Sequence, residues 1–393
     1  MTIAEGGLVS SVTVFFAWTL MAAACAGSAY ALLAAWAVYR FATTPPVAGA
    51  AVSPAVTVLK PLHGDEPLLY ENLRSFCVQA YPAVQIVFGV SRPDDPAVAV
   101  VRRLIDELPQ ADLVLVVDGR IHGTNLKVSN LINMMAMARH DLLVVADSDM
   151  LVAPDYLVQV TAPFADERVG LVTCLYIGRP IAGVWARLGS LFINHGFLPA
   201  VLVGKMVGAR EGCFGATMAL PRAILAQLGG FAAIKDRLAD DYALGEAVRR
   251  LNRKVVIAPC LVDTVVSEPD FGTLFQRELR WLRTMRLIAP VDMVASALTY
   301  PLPVALLGLL LSGLRTEGWA VLGLAFACRL VMVRVIDRVL GLAMAPFWLV
   351  PARDLLSFGL LIGGFCGKTV AWRGRRFRVR ANGDLILDRD PVT

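Results

Sequence analysis

The sequence begins with a long stretch that carries no charge. From Leu8 to Tyr39 there is no Asp, Glu, Lys or Arg, and the stretch exceeds the ~20 apolar residues that a membrane-spanning helix needs. Glu5 is the only charged side chain before it, whereas a secretory signal starts with positive residues and ends in a cleavage site. Arg40 closes the stretch, so the positive-inside tendency places the N-terminus outside and the following chain in the cytoplasm. We therefore predict a transmembrane anchor over residues 1–41.

The composition also indicates a membrane protein. Hydrophobic residues make up 57% of the 393 residues and charged residues only 18%, against about 45–50% and about 25% in soluble domains. The net charge of +5 is modest, and we expect no nucleic-acid partner; protein partners are left open. The seven cysteines form no CxxC pair, which favours free thiols in a reducing compartment over a disulfide or zinc framework.

The pattern changes after a Pro/Ala/Thr-rich linker that we predict over residues 42–54. From residue 55 to residue 270, apolar runs typical of buried strands alternate with segments of helical spacing. This alternation predicts an α/β domain with a mostly parallel sheet and helices on both of its faces. The predicted strands cover residues 56–59, 84–90, 113–117 and 142–146, and the predicted helices cover 71–79, 97–108 and 127–139.

The chain becomes lipid-like again after Trp281. We predict an amphipathic interfacial helix over residues 271–290 and a transmembrane or re-entrant region over 291–367. Within that region 293–314 is long enough to span, whereas Arg329 interrupts 318–333. Residues 339–351 and 355–367 are separated by Arg353 and Asp354, and they fit a broken span, a re-entrant pair or surface helices. The Arg-rich tail, residues 368–393, is predicted to be cytoplasmic.

Two carboxylates two positions apart, Asp147 and Asp149, follow the predicted strand 142–146. Ligands of such sheets bind outside the carboxyl ends of strands. Mg²⁺ and Mn²⁺ prefer oxygen ligands, and substrate phosphates complete the shell. Such a metal neutralises the charge that develops as a nucleoside diphosphate leaves. A solvated turn is the alternative interpretation. Asp94 also follows a predicted strand, so the fold brings it to the same edge.

Two adjacent carboxylates, Asp240 and Asp241, begin a predicted helix that runs to Arg250. Acids at a helix start commonly serve as caps and complement the helix dipole. Alternatively, one of them caps while the other takes a proton from an alcohol acceptor that attacks a sugar carbon. Such a base produces inversion at that carbon in a single displacement.

Arginines recur every three residues from Arg277 to Arg286 among apolar residues, the pattern of an interfacial helix. Arg277, Arg280 and Trp281 share one helix face. Guanidinium groups can hold a diphosphate in forked geometry, and the indole can line an acceptor or sugar pocket. Attraction to lipid headgroups is the plainer interpretation. We expect Arg277, Arg280 and Trp281 to serve the site, and Arg283 and Arg286 to serve the membrane.

Three weaker signals complete the candidate site. Lys60 and Gly64 end the first strand in a turn that suits close approach of a nucleotide. Asn125 and Lys127 open a helix, and a helix N-terminus favours an anion. His195 lies in an apolar context, where a satisfied core histidine is the alternative to a ligand-binding one.

As a set, these motifs resemble membrane glycosyltransferases with the nucleotide-sugar-binding GT-A fold. The resemblance is closest to the ceramide glucosyltransferase group and to the bacterial glycosyltransferases associated with hopanoid biosynthesis. It covers roughly residues 53–287 and depends on six motifs. In this sequence they are Leu59-Lys-Pro-Leu-His-Gly64, Asp94-Asp95-Pro96-Ala97, Gly123-x-Asn125-x-Lys127-x-x-Asn130, Asp147-Ser148-Asp149, Asp240-Asp241-Tyr242 and Arg277-x-x-Arg280-Trp281.

The resemblance implies a role for each motif. Asp94 would contact the nucleobase or ribose of UDP, and Asp147 and Asp149 would hold the donor and its metal. Ceramide enzymes can lack the second acid of that triplet, so its presence fits the bacterial relatives.

The remaining roles concern the acceptor and the diphosphate. Asp241 would be the base, with Asp240 where relatives often have Glu. Arg277, Arg280 and Trp281 would bind the diphosphate and shape the acceptor site. His195 matches a family histidine near the sugar pocket.

The sequence therefore predicts an inverting membrane glycosyltransferase that moves glucose or N-acetylglucosamine from a UDP-sugar to a lipid hydroxyl, using Mg²⁺ or Mn²⁺. Ceramide and a hopanoid polyol are the candidate acceptors. We expect it in the bacterial inner membrane with its catalytic domain in the cytoplasm. The alternatives are a processive polysaccharide synthase, a polyprenyl-phosphate transferase and a non-catalytic nucleotide-binding membrane protein.

Overall fold

The computed structural model describes residues 2–45, 53–367, 369–372, 375–379 and 385–387. Parts of the predicted linker and of the predicted basic tail lie outside the described residues. In chain order the α-helices are α1 (Thr2–Ala42), α2 (Leu69–Cys77), α3 (Ala97–Glu107), α4 (Leu126–Met134), α5 (Tyr156–Thr161), α6 (Gly183–Phe192), α7 (Leu198–Met206), α8 (Arg222–Gln227), α9 (Asp240–Arg250), α10 (Phe271–Ile288), α11 (Pro290–Ala295), α12 (Pro301–Leu311), α13 (Thr316–Val339) and α14 (Leu349–Gly364).

The strands and the tighter helical turns lie between these helices. The strands are β1 (Val56–Pro61), β2 (Val84–Val90), β3 (Asp112–Val117), β4 (Leu142–Val145), β5 (Met150–Leu151), β6 (Val169–Pro180), β7 (Met218–Pro221), β8 (Lys254–Val266), β9 (Thr369–Trp372), β10 (Arg375–Val379) and β11 (Leu385–Leu387). Short 3₁₀ segments cover Met135–Met137, Ala162–Ala165, Phe231–Ile234 and Ser296–Thr299, and a π-helical turn covers Ile193–Phe197.

The chain divides into two compact units. The helical unit comprises Met1–Thr43, Val184–Ala209 and Glu268–Lys368, and the sheet unit comprises Thr44–Gly183, Arg210–Ser267 and Thr369–Thr393. The sequence placed residues 184–209 inside one domain that runs from 55 to 270, whereas the structure groups them with α1 and the C-terminal helices. The exact domain boundaries stay predictions.

In the sheet unit, the main sheet confirms the predicted α/β class. Its strand order is β3-β2-β1-β4-β7-β6-β8-β5, and β3, β2, β1 and β4 pair in parallel. β1, β2 and β4 begin at the predicted residues, and β3 begins one residue earlier. Toward the other edge the sheet is mixed, because β7 runs antiparallel to both β4 and β6. A second sheet has the order β11-β10-β9, where the sequence predicted only a basic tail.

The parallel strands are apolar at nearly every position because both faces of the sheet are covered. Val58 pairs with Ile86 and belongs to a core cluster with helices α2 and α3. The next residue, Leu59, pairs with Val87 and belongs to a second cluster that includes α4 and α9. Since successive side chains of a strand point to opposite faces, a continuous apolar run is what two covered faces require.

The direction of β7 decides which loops meet at the edge where the candidate acids lie. Met218, the first residue of β7, pairs with Val145, the last residue of β4. The loop before β7 therefore lies at the same edge as the loop after β4. This places Gly215 beside Asp147, a neighbour that a wholly parallel sheet would not provide.

The helical unit contains the candidate membrane spans. Among the described residues, three helical segments are long and apolar enough to cross a membrane: Val12–Ala42, Gly183–Met206 and Thr316–Val339. The first agrees with the predicted anchor. The second was not predicted as a span. The third runs past Arg329, so the interruption expected there is absent from the helix.

The structure adds detail to two predictions for the C-terminal region. The predicted span 293–314 is bent: Pro290–Thr299 and Pro301–Leu311 meet at 70° and form either a broken span or a re-entrant loop, because Pro301 has no N–H to continue the preceding helix. Parts of the two segments 339–351 and 355–367 form one helix, α14, which continues through Arg353 and Asp354 where the sequence predicted a separation. These charges fit inside the unit because each is paired with an opposite charge.

Two arginines expected to serve the membrane have protein partners in the helical unit. Arg283 donates to the carbonyl of Cys366 at 3.1 Å. Arg286 donates to the carbonyls of Phe365 at 2.6 Å and Gly367 at 2.7 Å. These carbonyls follow α14, where the helix dipole favours positive charge, so both arginines close the C-terminal end of that helix.

Candidate active site

Lys127 connects two of the predicted acidic motifs within the sheet unit. Its Nζ lies 2.6 Å from Oδ1 of Asp147 and 3.3 Å from Oδ2 of Asp240, and its side chain is 11% exposed. Burial alone would lower the pKa of Lys127, but the charges of Asp147 and Asp240 more than offset it and the pKa is raised. The ammonium therefore stays charged and holds Asp147 and Asp240 on either side of it.

Asn125 fixes the helix that carries Lys127. Its side chain caps α4 by accepting from the Val128 N–H at 3.2 Å, and its Nδ2 donates to the Arg237 carbonyl at 2.9 Å and to Asp240 at 3.4 Å. The sequence predicted a substrate-binding role for Asn125. In the structure its amide joins the start of α4 to the start of α9, and substrate contact stays a prediction.

Asp241 is the carboxylate predicted to act as a base. Its Oδ2 accepts from the Gly215 N–H at 2.9 Å, and its Oδ1 accepts from the Tyr242 N–H at 2.7 Å. Ala239, not an aspartate, is the N-cap residue of α9. Burial, followed by the charge of Asp240, raises the pKa of Asp241 to about 6. Asp241 is therefore still ionised at neutral pH but basic enough to take a proton.

Asp149 lies on the other side of the acidic triplet. Thr264 Oγ1 donates to its Oδ2 at 2.7 Å. Burial, and then repulsion by Asp147, raise the pKa of Asp149 to about 6. A divalent cation between these two carboxylates would remove that repulsion. Within the described residues, no group of three or more His, Cys, Asp and Glu side chains is arranged to hold a metal unaided.

The end of β1 and the turn after it contact the backbone of the acidic triplet. Lys60 is fully buried, donates to the backbone carbonyl of Asp147 and lies 3.9 Å from the centre of the Phe76 ring. Burial lowers the pKa of Lys60 to about 8. Gly64 has a φ of 76°, which favours glycine. These contacts fix the loop that carries Asp147; binding of substrate by Lys60 and Gly64 stays a prediction.

The predicted nucleotide-contacting acid and its neighbour have different surroundings. Asp94 is exposed and paired with Arg92. Asp95 is buried and accepts from the N–H groups of Gly64 and Ala97, both at 3.0 Å. Asp95 thus holds the Gly64 turn against the start of α3, a role that the sequence did not reveal. Contact between Asp94 and a nucleotide stays a prediction.

Gly215 is a site residue that sequence reasoning missed. A Cβ on Gly215 would lie 3.0 Å from Oδ2 of Asp147, 3.3 Å from Nζ of Lys127 and 3.6 Å from Oδ2 of Asp241. Only a residue without a side chain leaves the space between these groups open. The signal in the sequence is a glycine three residues before a strand, and glycine beside a strand can mark the close approach of another group to the backbone.

The other candidate residues belong to the helical unit. His195 lies on the π-helical turn, and its Nε2 is 2.8 Å from Oδ1 of Asp337, with both side chains buried. Arg277 is paired with Glu268, and its guanidinium lies 4.9 Å from the centre of the Trp281 ring. Arg280 follows on the same helix, α10, and is partly buried. Their roles in binding a substrate stay predictions.

Comparison with known sequences identifies one family. The profile described as Glycosyl transferase family 21 matches residues 18–385. Ceramide glucosyltransferase 1 of Caenorhabditis elegans is 27% identical over 348 residues, which are 84% of this chain and 73% of that protein. Ceramide glucosyltransferase 3 of the same organism is 26% identical over 233 residues, 58% of this chain and 50% of that protein.

Comparison with solved structures concerns the fold. The chain is similar to a structure described as mannosyltransferase PcManGT from Pyrobaculum calidifontis in complex with GDP-Man and Mn²⁺, with a TM-score of 0.54 and 22% identity. The similarity covers 90% of this chain and 99% of the other. It confirms the predicted GT-A fold.

Proposed function

The chain belongs to glycosyl transferase family 21 and is a hexosyltransferase, and from this premise we propose that it transfers a hexose from a UDP-sugar to the hydroxyl of a membrane lipid. Glucose and N-acetylglucosamine are the proposed sugars. Ceramide and a hopanoid polyol are the proposed acceptors. The relatives named ceramide glucosyltransferase support the acceptor class, and the candidate spans support access to a lipid.

One observation carries the proposal: Asp241, whose pKa is raised, and Asp147, which is paired with Lys127, border the same space over Gly215. Asp241 accepts from the Gly215 N–H, and the space over Gly215 is bordered by Asp147 and Lys127 as well. In the proposed step the acceptor oxygen attacks the anomeric carbon and its proton passes to the Asp241 carboxylate. The bond from that carbon to UDP breaks as the new bond forms, so the sugar carbon is inverted.

We propose that Asp147 and Asp149 hold a Mg²⁺ or Mn²⁺ ion together with the donor phosphates. Two carboxylates plus phosphate oxygens are a common donor set for such ions. Burial is the main cause of the raised pKa of Asp149, and the charge of Asp147 adds to it; a cation between the two carboxylates would offset both effects, which supports this assignment. When bound, the ion neutralises the charge that develops on the departing diphosphate. Lys127 holds the Asp147 carboxylate in place.

The remaining assignments stay proposals from the sequence motifs. Arg277, Arg280 and Trp281 bind the diphosphate and shape the acceptor site, His195 lies near the sugar, and Asp94 contacts the nucleoside. The protein is a membrane protein with three candidate spans among its described residues. We propose that its sheet unit is cytoplasmic, in the inner membrane of a bacterium.

The substrate pair is tested by a screen with the purified full-length protein. UDP-glucose, UDP-N-acetylglucosamine and GDP-mannose are each combined with ceramide, diacylglycerol, a hopanoid polyol and polyprenyl phosphate, in Mg²⁺ and in Mn²⁺. We expect the mass of a hexosylated lipid alcohol with a UDP-sugar. A product only with GDP-mannose, or only with polyprenyl phosphate, would contradict the proposal.

The raised pKa of Asp241 predicts how turnover depends on pH. A base must be deprotonated to act, so kcat is expected to fall as the pH is lowered through about 6 and to be level above it. The measurement is kcat from about pH 5 to about pH 8 at saturating Mn²⁺ and substrates. Saturating Mn²⁺ is intended to keep Asp149 ionised and so isolate Asp241. A profile without an acidic limb would argue against a base with this pKa.

The open space over Gly215 predicts a large effect of a small substitution. In Gly215→Ala the new methyl would crowd Asp147 and Lys127 and would touch Asp241, and we expect kcat/KM to fall about 10- to 100-fold with the fold retained. Gly323→Ala is the control, because a Cβ there meets nothing within 4 Å. Steady-state kinetics and thermal unfolding of both variants decide the point. Equal activity of the two would show that the space is not used.

A further inference from the structure

A buried ion pair lies in the middle of the basic motif of α10. Glu278, between Arg277 and Arg280, is completely buried. Arg353 on α14 donates to both of its carboxylate oxygens, at 2.9 Å and 2.7 Å. Both residues belong to the helical unit. Burying charged groups is costly even when they are paired, so a buried ion pair at this place calls for a physical account.

All three nitrogens of the Arg353 guanidinium donate hydrogen bonds. Besides Glu278 it contacts the Ser357 hydroxyl through Nε at 2.9 Å and the Leu188 carbonyl through Nη1 at 3.2 Å. It also lies 5.4 Å from the centre of the Phe192 ring. Arg353 therefore joins α14, α10 and α6, and a shorter or uncharged side chain would not reach all of these partners.

The Phe192 ring lies between Arg353 and Trp281 and connects the two by contact. The two rings are stacked, with centres 5.8 Å apart and an angle of 23° between their planes. On its own helix Trp281 is contacted by the guanidinium of Arg277, 4.9 Å from the ring centre. One continuous set of contacts thus runs from Glu278 through Arg353, Phe192 and Trp281 to Arg277.

A neighbouring ion pair provides a matched comparison. Arg329 on α13 and Asp354 on α14 form a two-pronged pair with distances of 2.8 Å and 2.6 Å, and both are buried. Arg329 also donates to the His195 carbonyl at 3.2 Å. This pair joins the same helix α14 to α13, and the partners of Arg329 are Asp354, the His195 carbonyl and Met332.

We propose that Glu278 and Arg353 are positioning residues that hold the Trp281 indole, and through it Arg277, in the orientation needed for substrate binding. The inference rests on the proposed function, in which Arg277 and Trp281 bind substrate. A pair of apolar residues would fill the same volume without the cost of burying two charges. The pair instead supplies a directional, forked contact that sets one orientation of α10 and of the ring stacked on Arg353.

The test compares Glu278→Gln, Arg353→Lys and Arg353→Met with the control variant Asp354→Asn. Each full-length protein is purified in detergent, and activity is expressed per folded molecule from its thermal unfolding curve. We expect the Glu278 and Arg353 variants to lose about 10- to 100-fold in kcat/KM for the donor. The control variant is expected to unfold at a lower temperature and to keep kcat/KM per folded molecule. An equal loss in the control variant would overturn a positioning role.

A second readout does not depend on turnover. The near-ultraviolet circular dichroism of the wild type minus that of Trp281→Phe isolates the signal of the stacked indole. In the Glu278→Gln or Arg353→Lys background the indole is expected to lose its fixed orientation, so adding Trp281→Phe should change the spectrum little. In the Asp354→Asn background the difference between the spectra with and without Trp281 is expected to persist. Its persistence in the Glu278→Gln and Arg353→Lys backgrounds would overturn the inference. If the wild type made no glycolipid, the proposed function would fail while this readout still decided whether the pair orients Trp281.

Discussion

Replacing Asp241 with asparagine is expected to lower kcat by about two to four orders of magnitude, the usual contribution of a general base. The amide has the same shape as the carboxylate but takes no proton from the acceptor hydroxyl. It keeps an oxygen that can accept from the Gly215 N–H, so the fold and the binding of UDP are expected to be retained. Single-turnover rates and calorimetric titration with UDP measure the two effects separately.

Asp240→Asn is the control for this substitution. Asp240 is adjacent and also buried, but its carboxylate is paired with Lys127 and accepts from Asn125. Its replacement is expected to weaken folding and to change kcat less than Asp241→Asn does. If Asp241→Asn kept full turnover, the proposed base would be wrong. If it abolished UDP binding as well, its effect would be one of site structure and not of proton transfer.

Removal of one carboxylate of the acidic triplet is expected to have the other large effect. Asp149→Asn removes one of the two charges proposed to hold the cation, and we expect turnover to fall about 10²- to 10³-fold. Binding of Mn²⁺ in the presence of UDP, followed by electron paramagnetic resonance, is expected to weaken in parallel. Chelation of divalent ions is expected to silence the wild type, with recovery on adding Mn²⁺ or Mg²⁺.

Thr264→Val is the matched control for Asp149. It removes the 2.7 Å hydrogen bond to Asp149 but leaves the carboxylate in place. We expect it to bind Mn²⁺ more weakly than the wild type and more tightly than Asp149→Asn. Wild-type turnover that continues in excess chelator would contradict a metal-assisted departure of the diphosphate.

Much of the fold was predictable because its signals are local. The parallel strands are continuous apolar runs, so β1, β2 and β4 begin where the sequence predicted. The direction of β7 was not predictable, since a four-residue apolar strand carries no mark of its partner. The continuous helix α14 was missed for a related reason: Arg353 and Asp354 look like breaks until their partners Glu278 and Arg329, distant in sequence, are known.

The candidate site was predictable in its charges and less so in its geometry. Asp147, Lys127, Asp240 and Asp241 were singled out by motif. The structure brings Asp147, Lys127 and Asp241 around one glycine and pairs Asp240 with Lys127. Gly215 itself was missed, because its importance comes from the antiparallel pairing of β7 with β4. Which of two adjacent aspartates takes which role in the site is also hard to decide from sequence alone.

The anomeric configuration of the lipid product tests the central claim most directly. The purified protein is incubated with an α-linked UDP-sugar and the lipid alcohol that it accepts, and the glycolipid is examined by proton nuclear magnetic resonance. A single displacement assisted by Asp241 predicts a β-linked hexose from the wild type and almost none from Asp241→Asn. An α-linked product, or a β-linked product formed equally fast by Asp241→Asn, would contradict the account.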